Sequence, residues 1–179
     1  MLPMPVTVPD VVVHQTIAYY DIGGRAEPDI VQEMNSKGPV TGDGGHWGSA
    51  IWTISWDYKT RQTDKSTCVI DHPQVRLRAL IVLPRWTSPA DTSPTVVEKW
   101  RRLSSALETR EQEHLKNGKD AADAVVALMR RHQSALTCSA LKGTLETEGR
   151  KLMEQGSHMD VEFDRETNHG ATEGVAIQW

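Results

Sequence analysis

An apolar stripe interrupted by charge constrains this chain more than any other feature. Val96, Trp100, Leu103 and Leu107 recur at steps of three and four, the spacing that lines up side chains on one face of an α-helix. The stripe resumes at Gly118, Ala121, Val125 and Leu128, so one long helix is expected, capped by Ser93 and opened by Pro94. Between the two stretches the same face carries Arg110 and His114, a cation and an imidazole where the pattern asks for core. Glu111 lies beside them, one residue round the helix. Asn117-Gly118 is expected to be a kink or a close-packing point.

A second helix is expected from near Ser139, with Leu141, Leu145, Leu152, Met159 and Phe163 at helical spacing. The run Gly156-Ser157-His158-Met159 falls inside that pattern and is read as part of it. The stretch from Asp164 to Gly174 reads as a turn, because His169-Gly170 and Glu173-Gly174 are turn pairs.

The first half has a different period. Val6 to Val13 and Thr16 to Ile22 are rich in β-branched and aromatic residues and read as an opening strand or two. A short helix is expected from about Glu27 to Lys37, ended by Gly38-Pro39. Thr41 to Ser49 holds four glycines but no following lysine, so a hairpin tip suits it better than a phosphate-cradling loop. Ile51 to Tyr58 alternates, with Trp52, Ile54, Trp56 and Tyr58 on one face. Thr67 to Asp71 and Val75 to Leu83 are expected to continue the sheet, which Pro84-Arg85-Trp86 ends. Strands joined by short turns imply antiparallel pairing.

Sheet first and helices second is the order of an α+β protein. The 179 residues suit a single domain over 1–179, mainly β with one short helix over 1–90, helical over 91–168, and closed by a segment over 169–179. A net charge of −4 with no basic stripe argues against a nucleic-acid binder. No apolar run approaches the roughly 20 residues that cross a bilayer, so no membrane partner is expected. Met1 to Thr16 lacks the parts of an export signal, so the expected location is cytoplasmic, or secreted if a signal has been removed. Cys68 and Cys138 are the only cysteines, and the residues are compatible with two buried thiols or with one bond worth about 4 kcal/mol.

The charged break in the stripe has the geometry of a zinc-protease helix, where two histidines four apart chelate the ion and a glutamate between them activates water. Here Arg110 stands in the first histidine position. The landmarks around it carry a family likeness: Tyr20-Asp21-Ile22 with Gly24, the Thr53 to Trp56 strand, Cys68, Leu83-Pro84-Arg85-Trp86, Trp100, Glu111 and His114, Cys138, and Phe163-Asp164 with Thr167, His169-Gly170 and Thr172. In their order and spacing, from about Tyr19 to Gly174, the chain resembles the bacterial predicted secreted zinc-dependent proteases, a little-characterised family known mainly as a domain of unknown function. The resemblance implies a zincin-like metalloprotease-type fold. It implies His114 and His169 as zinc ligands and Glu111 as general base. Arg110 departs from the pattern, as do Glu113, where a small residue is expected, and the missing export signal.

Catalytic zinc needs three protein ligands and an open position, and a guanidinium offers donors only. The expectation is therefore a protein without a metal cofactor, with zinc on His114 and His169 as the alternative. Arg110 would snorkel, or would pair with Glu111 or Glu113 and present fixed charge to a ligand oxygen. The expected catalytic residues are Arg110, Glu111, His114 and His169. With six Trp against one Phe, aromatic walls for a small organic ligand are available, and Trp52, Trp56, Trp86 and Trp100 are the candidates. His14, His46, His72, His132 and His158 receive no role.

The function these features favour is a non-proteolytic protein that binds a largely apolar small-molecule substrate and transforms it, for example by cyclisation or rearrangement in secondary-metabolite biosynthesis. Alternatives are a zinc endopeptidase and a catalytically dead binding protein. The sequence leaves the oligomeric state open.

Overall fold

A computed structural model describes residues 6–42, 44–63 and 66–175. In chain order it contains β1 (Val12–Ile22), α1 (Glu27–Lys37), β2 (Val40–Thr41), β3 (Gly44–Gly45), β4 (Ser49–Gln62), β5 (Cys68–Trp86), α2 (Pro94–Arg131), β6 (Ser134–Ala135) and α3 (Cys138–Glu166), followed by a 3-10 turn at Ala171–Glu173. The α+β order expected from the sequence is present. The main sheet has the order β1-β5-β4, with β6 pairing onto β5, and β2 and β3 form a small antiparallel ribbon. β4 and β5 are adjacent in the sheet and five residues apart in sequence, too few for the crossover that parallel strands need. Among the described residues, no helix is long and apolar enough to cross a membrane.

The chain divides into two compact units, and β1, β4, β5, α2 and α3 each pass from one to the other. The first unit comprises Met1–His14, Trp52–Arg78 and Lys116–Asp160. Here the alternation of β4 turns Trp52 and Trp56 towards helical glycines. An added Cβ on Gly118 of α2 would meet Trp52 Cγ at 2.6 Å, and one on Gly149 of α3 would meet Trp56 Cζ2 at 2.9 Å. Gly118 is thus the close-packing point that the sequence offered as one option, inside an unbroken α2. Gly156 likewise faces Ala121 and Trp52, which places the Gly156-Ser157-His158-Met159 run within the packed helix. Asp160 joins the elements: its carboxylate accepts from Trp52 Nε1 at 2.6 Å and from Asn117 Nδ2 at 2.8 Å.

Also in this unit, β6 pairs Ala135 with Cys68 and Ser134 with Val69, and three residues later Cys138 reaches Cys68 to form a disulfide. Residues 6–11, expected as strand, are not. Pro9 supplies no N–H to a ladder, and Val6 pairs through its backbone with the Gln133 amide instead, at 3.0 and 2.9 Å. β5 is one strand where two were expected, and it continues through Pro73. The residue before the proline, His72, takes φ 49°, a local departure from strand geometry where the missing donor falls.

The second unit comprises Gln15–Ile51, Ala79–Leu115 and Val161–Trp179. Its core is Ile22, Ile30, Met34 and Leu103, with Tyr20, Val31, Trp47, Trp86, Val96 and Trp100 packed against them. α1 spans the expected residues, and Gly38 N–H closes it on Met34 O at 2.9 Å. Ser93 caps α2 as expected, its Oγ accepting from Val96 N–H at 3.3 Å. α3 runs to Glu166, so Asp164, expected in a turn, is helical, and the turn occupies only the residues beyond.

Candidate functional site

Where the helical stripe breaks, the side chains are buried all the same: Arg110, Glu111 and His114 are 5%, 3% and 8% exposed. Burial of a guanidinium is tolerated only when its donors are satisfied. Arg110 Nη1 donates to Thr167 Oγ1 at 2.7 Å and to Glu173 Oε2 at 2.9 Å, and Nη2 donates to Asp164 Oδ1. Its Cζ lies 4.9 Å from the centroid of Phe163, within cation–π range. Thr167 serves both ways, passing its own hydroxyl hydrogen to Phe163 O at 2.7 Å. Glu113, one of the partners expected for Arg110, is exposed, and the carboxylates used are Asp164 and Glu173.

Asp164 Oδ1 also lies 3.2 Å from His114 Nε2, and the imidazole meets the Phe163 ring edge-on at 5.1 Å. Phe163 therefore packs against both Arg110 and His114, its ring face under the cation and its ring edge-on to the imidazole. Glu111 is the most enclosed of the three. A Cβ on Gly48 would stand 3.0 Å from Glu111 Oε1, so a glycine there lets backbone approach the carboxyl. Burial pushes the Glu111 carboxyl up to about 7, with Asp164 adding to the rise and His114, Arg110 and His46 opposing it.

His169 is exposed, and its ring centroid lies 6.3 Å from that of His46. His46, to which the sequence assigned no role, thus stands near both His169 and Glu111. The sequence offered one signal for it, its place in the glycine-rich Thr41 to Ser49 stretch. The backbone around His169 is unusual: Asn168 and His169 have φ 47° and 53°, and Gly170 and Gly174 have φ 90° and 87°. A Cβ on Gly170 would stand 3.0 Å from Arg110 Cδ, so glycine is needed for the approach as well as for the turn.

Zinc, which the resemblance implies, is not matched by these donors. The first ligand position holds a guanidinium tied to three acceptors, and Asp164 faces His114 Nε2. Among the described residues no group of three or more His, Cys, Asp or Glu side chains is placed to hold a metal ion. The residues present do not fit the ion.

The four tryptophans divide between the units. Trp52 and Trp56 belong to the first, where their indoles donate to Asp160 at 2.6 Å and to Glu146 at 3.3 Å. Trp86 and Trp100 belong to the second, where their rings lie 5.6 Å apart in the core and Trp86 Nε1 donates to Gly24 O at 2.8 Å. A cavity of about 400 Å³ opens beside the guanidinium, lined by Arg101, Arg102, Ser105, Thr109, Arg110 and Glu173 among others. Another, of about 390 Å³ and more apolar, lies in the first unit against Ala121, Ala124, Leu152 and Met159. None of the four tryptophans lines either.

No curated protein and no solved structure matches the chain. The family model described as "Bacterial protein of unknown function (DUF922)" matches residues 17–170, a span that takes in α1, α2 and the Arg110-Glu111-His114 cluster with its Asp164 and Thr167 partners. The chain belongs to this bacterial family.

Proposed function

We propose that the chain works without a bound metal and without cleaving peptides, on a scaffold related to the zincin-like metalloproteases, and that it binds a small molecule beside Arg110, Glu111 and His114 and transforms it by proton transfer. The observation that carries this reading is the state of Glu111, a buried carboxyl that titrates near 7 next to a fixed guanidinium. A group with that pKa exchanges a proton in either direction at neutral pH, which is what general acid–base catalysis asks of it. Glu111 would take a proton from one atom of the substrate and return it at another. A cyclisation or rearrangement needs no more, because its product has the same composition as its substrate. Arg110 supplies fixed positive charge opposite a developing oxyanion, and His114, held by Asp164, is the second proton carrier.

The same observations support the zinc-endopeptidase reading less well, since it needs a third ligand at the place Arg110 fills. The Cys68–Cys138 bond supports an oxidising compartment rather than the cytosol. Metal analysis of the purified protein, paired with Glu111→Gln, tests the proposal. Far less than one metal equivalent is expected, with turnover abolished by the substitution while the fold is kept. Stoichiometric zinc, stripped by a chelator together with activity, overturns it.

A further inference from the structure

We propose that the cavity beside Arg110 receives the carboxylate of a small organic acid, and that Glu173 is an internal carboxylate which this ligand displaces. The two carboxylates on Arg110 are held in unlike ways. Asp164 stands on the last turns of α3 and is shared with His114. Glu173 stands on a three-residue 3-10 turn between Gly170 and Gly174, both left-handed; its side chain is 32% exposed against 29% for Asp164, so the difference lies in the backbone that carries each. Ahead of that turn, Asn168 and His169 are consecutive non-glycine residues with positive φ, a region that side chains other than glycine's seldom adopt. The turn therefore stays where it is because contacts hold it there, and the Arg110–Glu173 ion pair is one of them.

Beyond Glu173 the cavity of about 400 Å³ is large enough for a small organic acid. Arg101 and Arg102 line it and both donate to the single carboxylate of Glu98, at 2.9–3.0 Å. Two cations share one anion at the rim, while the third cation, Arg110, lies at the floor. Ser105 and Thr109 line the same space. Exchange of one carboxylate for another leaves the charge around Arg110 unchanged, and Glu173, already part-exposed, moves to water. A neutral ligand would leave a buried guanidinium with one counter-ion fewer if it displaced Glu173. Nη1 is the donor that Glu173 gives up, so an incoming carboxylate takes a carboxylate's place on the same N–H while Nη2 stays on Asp164.

The inference goes beyond the proposed function, because it concerns binding and requires no turnover. Calorimetric titration of the full chain with hexanoate tests it, with hexanol as the uncharged analogue and inorganic phosphate as the other anion. Glu173→Gln keeps the side chain's size but removes the competing charge, and hexanoate is expected to bind this variant about tenfold more tightly than the parent. Glu173→Ala is expected to act in the same direction, and thermal melts of both report that the fold is intact. Hexanol is expected to show no difference between parent and variants. Unchanged or weaker hexanoate affinity in both variants, absence of saturable binding, or phosphate binding as tight as hexanoate overturns the proposal. Loss of turnover in Glu111→Gln is independent of these titrations, so the two readings fail separately.

Discussion

Asp164 Oδ1 is shared between Arg110 Nη2 and His114 Nε2, the latter at 3.2 Å, so one carboxylate oxygen ties together the two residues that interrupt the apolar stripe of α2. The arrangement explains how a helix can bury a guanidinium and an imidazole one turn apart. Both lie against the same carboxylate oxygen, and the guanidinium has Thr167 and Glu173 as further acceptors.

Asp164→Asn keeps the shape but removes the charge. Glu173 remains as a counter-ion to Arg110, so the cost is expected to be that of a charged hydrogen bond, about 2 kcal/mol, rather than that of an orphaned buried ion. Urea melts of parent and variant measure it. A change below about 0.5 kcal/mol, the range of ordinary surface substitutions, would show that the shared oxygen contributes little to stability.

Glu111 gives stability a particular pH dependence. Burial holds its carboxyl at about 7 in the folded protein against 4.5 for an ordinary glutamate, so between those values the folded state holds more protons than the unfolded state. The sign follows: no penalty exists below about 4.5, and stability falls as pH rises towards 7 and then levels off. The drop is on the order of 3 kcal/mol, from about 1.4 kcal/mol for each pH unit of displacement. Glu111→Gln removes this component, so its stability relative to the parent is expected to rise between pH 4.5 and 8. Denaturant melts at several pH values test it, and parallel curves for the two proteins would be the contrary outcome.

Local chemistry was legible in the sequence, and long-range pairing was not. The spans of α1 and the cap of α2 follow from residues within a few positions of each boundary, such as Pro28, Gly38, Ser93 and Pro94, and they were read correctly. Two strands are expected at Thr67 to Asp71 and Val75 to Leu83, whereas β5 runs on through Pro73 with φ 49° at His72. Arg110, Glu111 and His114 announced themselves by occupying core positions. Their partners Asp164, Thr167 and Glu173 lie 54, 57 and 63 residues from Arg110, and no periodicity links positions so far apart. The helix alone offers Arg110 a snorkelling path or a pairing with Glu111 or Glu113; Glu113 faces out, and the carboxylates that hold the guanidinium are Asp164, which the sequence showed only as a landmark of the family likeness, and Glu173.

The disulfide closes a sequence separation of 70 residues. A crosslink of that span restricts the unfolded chain by about 4 kcal/mol. Melts with and without reductant, or of the double substitution Cys68→Ala and Cys138→Ala, are expected to differ by that order. A reduced protein as stable as the oxidised one would show that the unfolded state is already compact around this loop.

Gly118 sets two effects against each other. Alanine in a helix interior is worth about 1 kcal/mol over glycine. At this position, however, the new Cβ would stand 2.6 Å from Trp52 Cγ, and the indole is anchored by its bond to Asp160. Overpacking costs about 1–3 kcal/mol. Gly118→Ala is therefore expected to lower stability by about 1 kcal/mol net, whereas Gly143→Ala, where nothing lies within 4 Å of an added Cβ, is expected to raise it. Thermal melts of the pair separate the two, and stabilisation by both would mean that Trp52 gives way.

Arg110→His asks whether the arginine alone keeps zinc from this cluster. The substitution places an imidazole four residues before His114 on the same helical face, with Glu111 between them. It also releases Asp164 and Glu173, which now neutralise the guanidinium and would supply oxygen donors close to both imidazoles. Two nitrogens and a released carboxylate meet the three-ligand requirement of catalytic zinc, so about one equivalent is expected in the variant against far less in the parent. Zinc binding stabilises only the folded state, so the variant's melting temperature is expected to rise with added zinc while that of the parent stays put. Metal analysis after dialysis against zinc, together with those melts, decides it. A variant that folds but takes up no zinc would show that the cluster is shaped for the guanidinium itself, with Asp164 and Glu173 placed too far from a tetrahedral arrangement to be recruited.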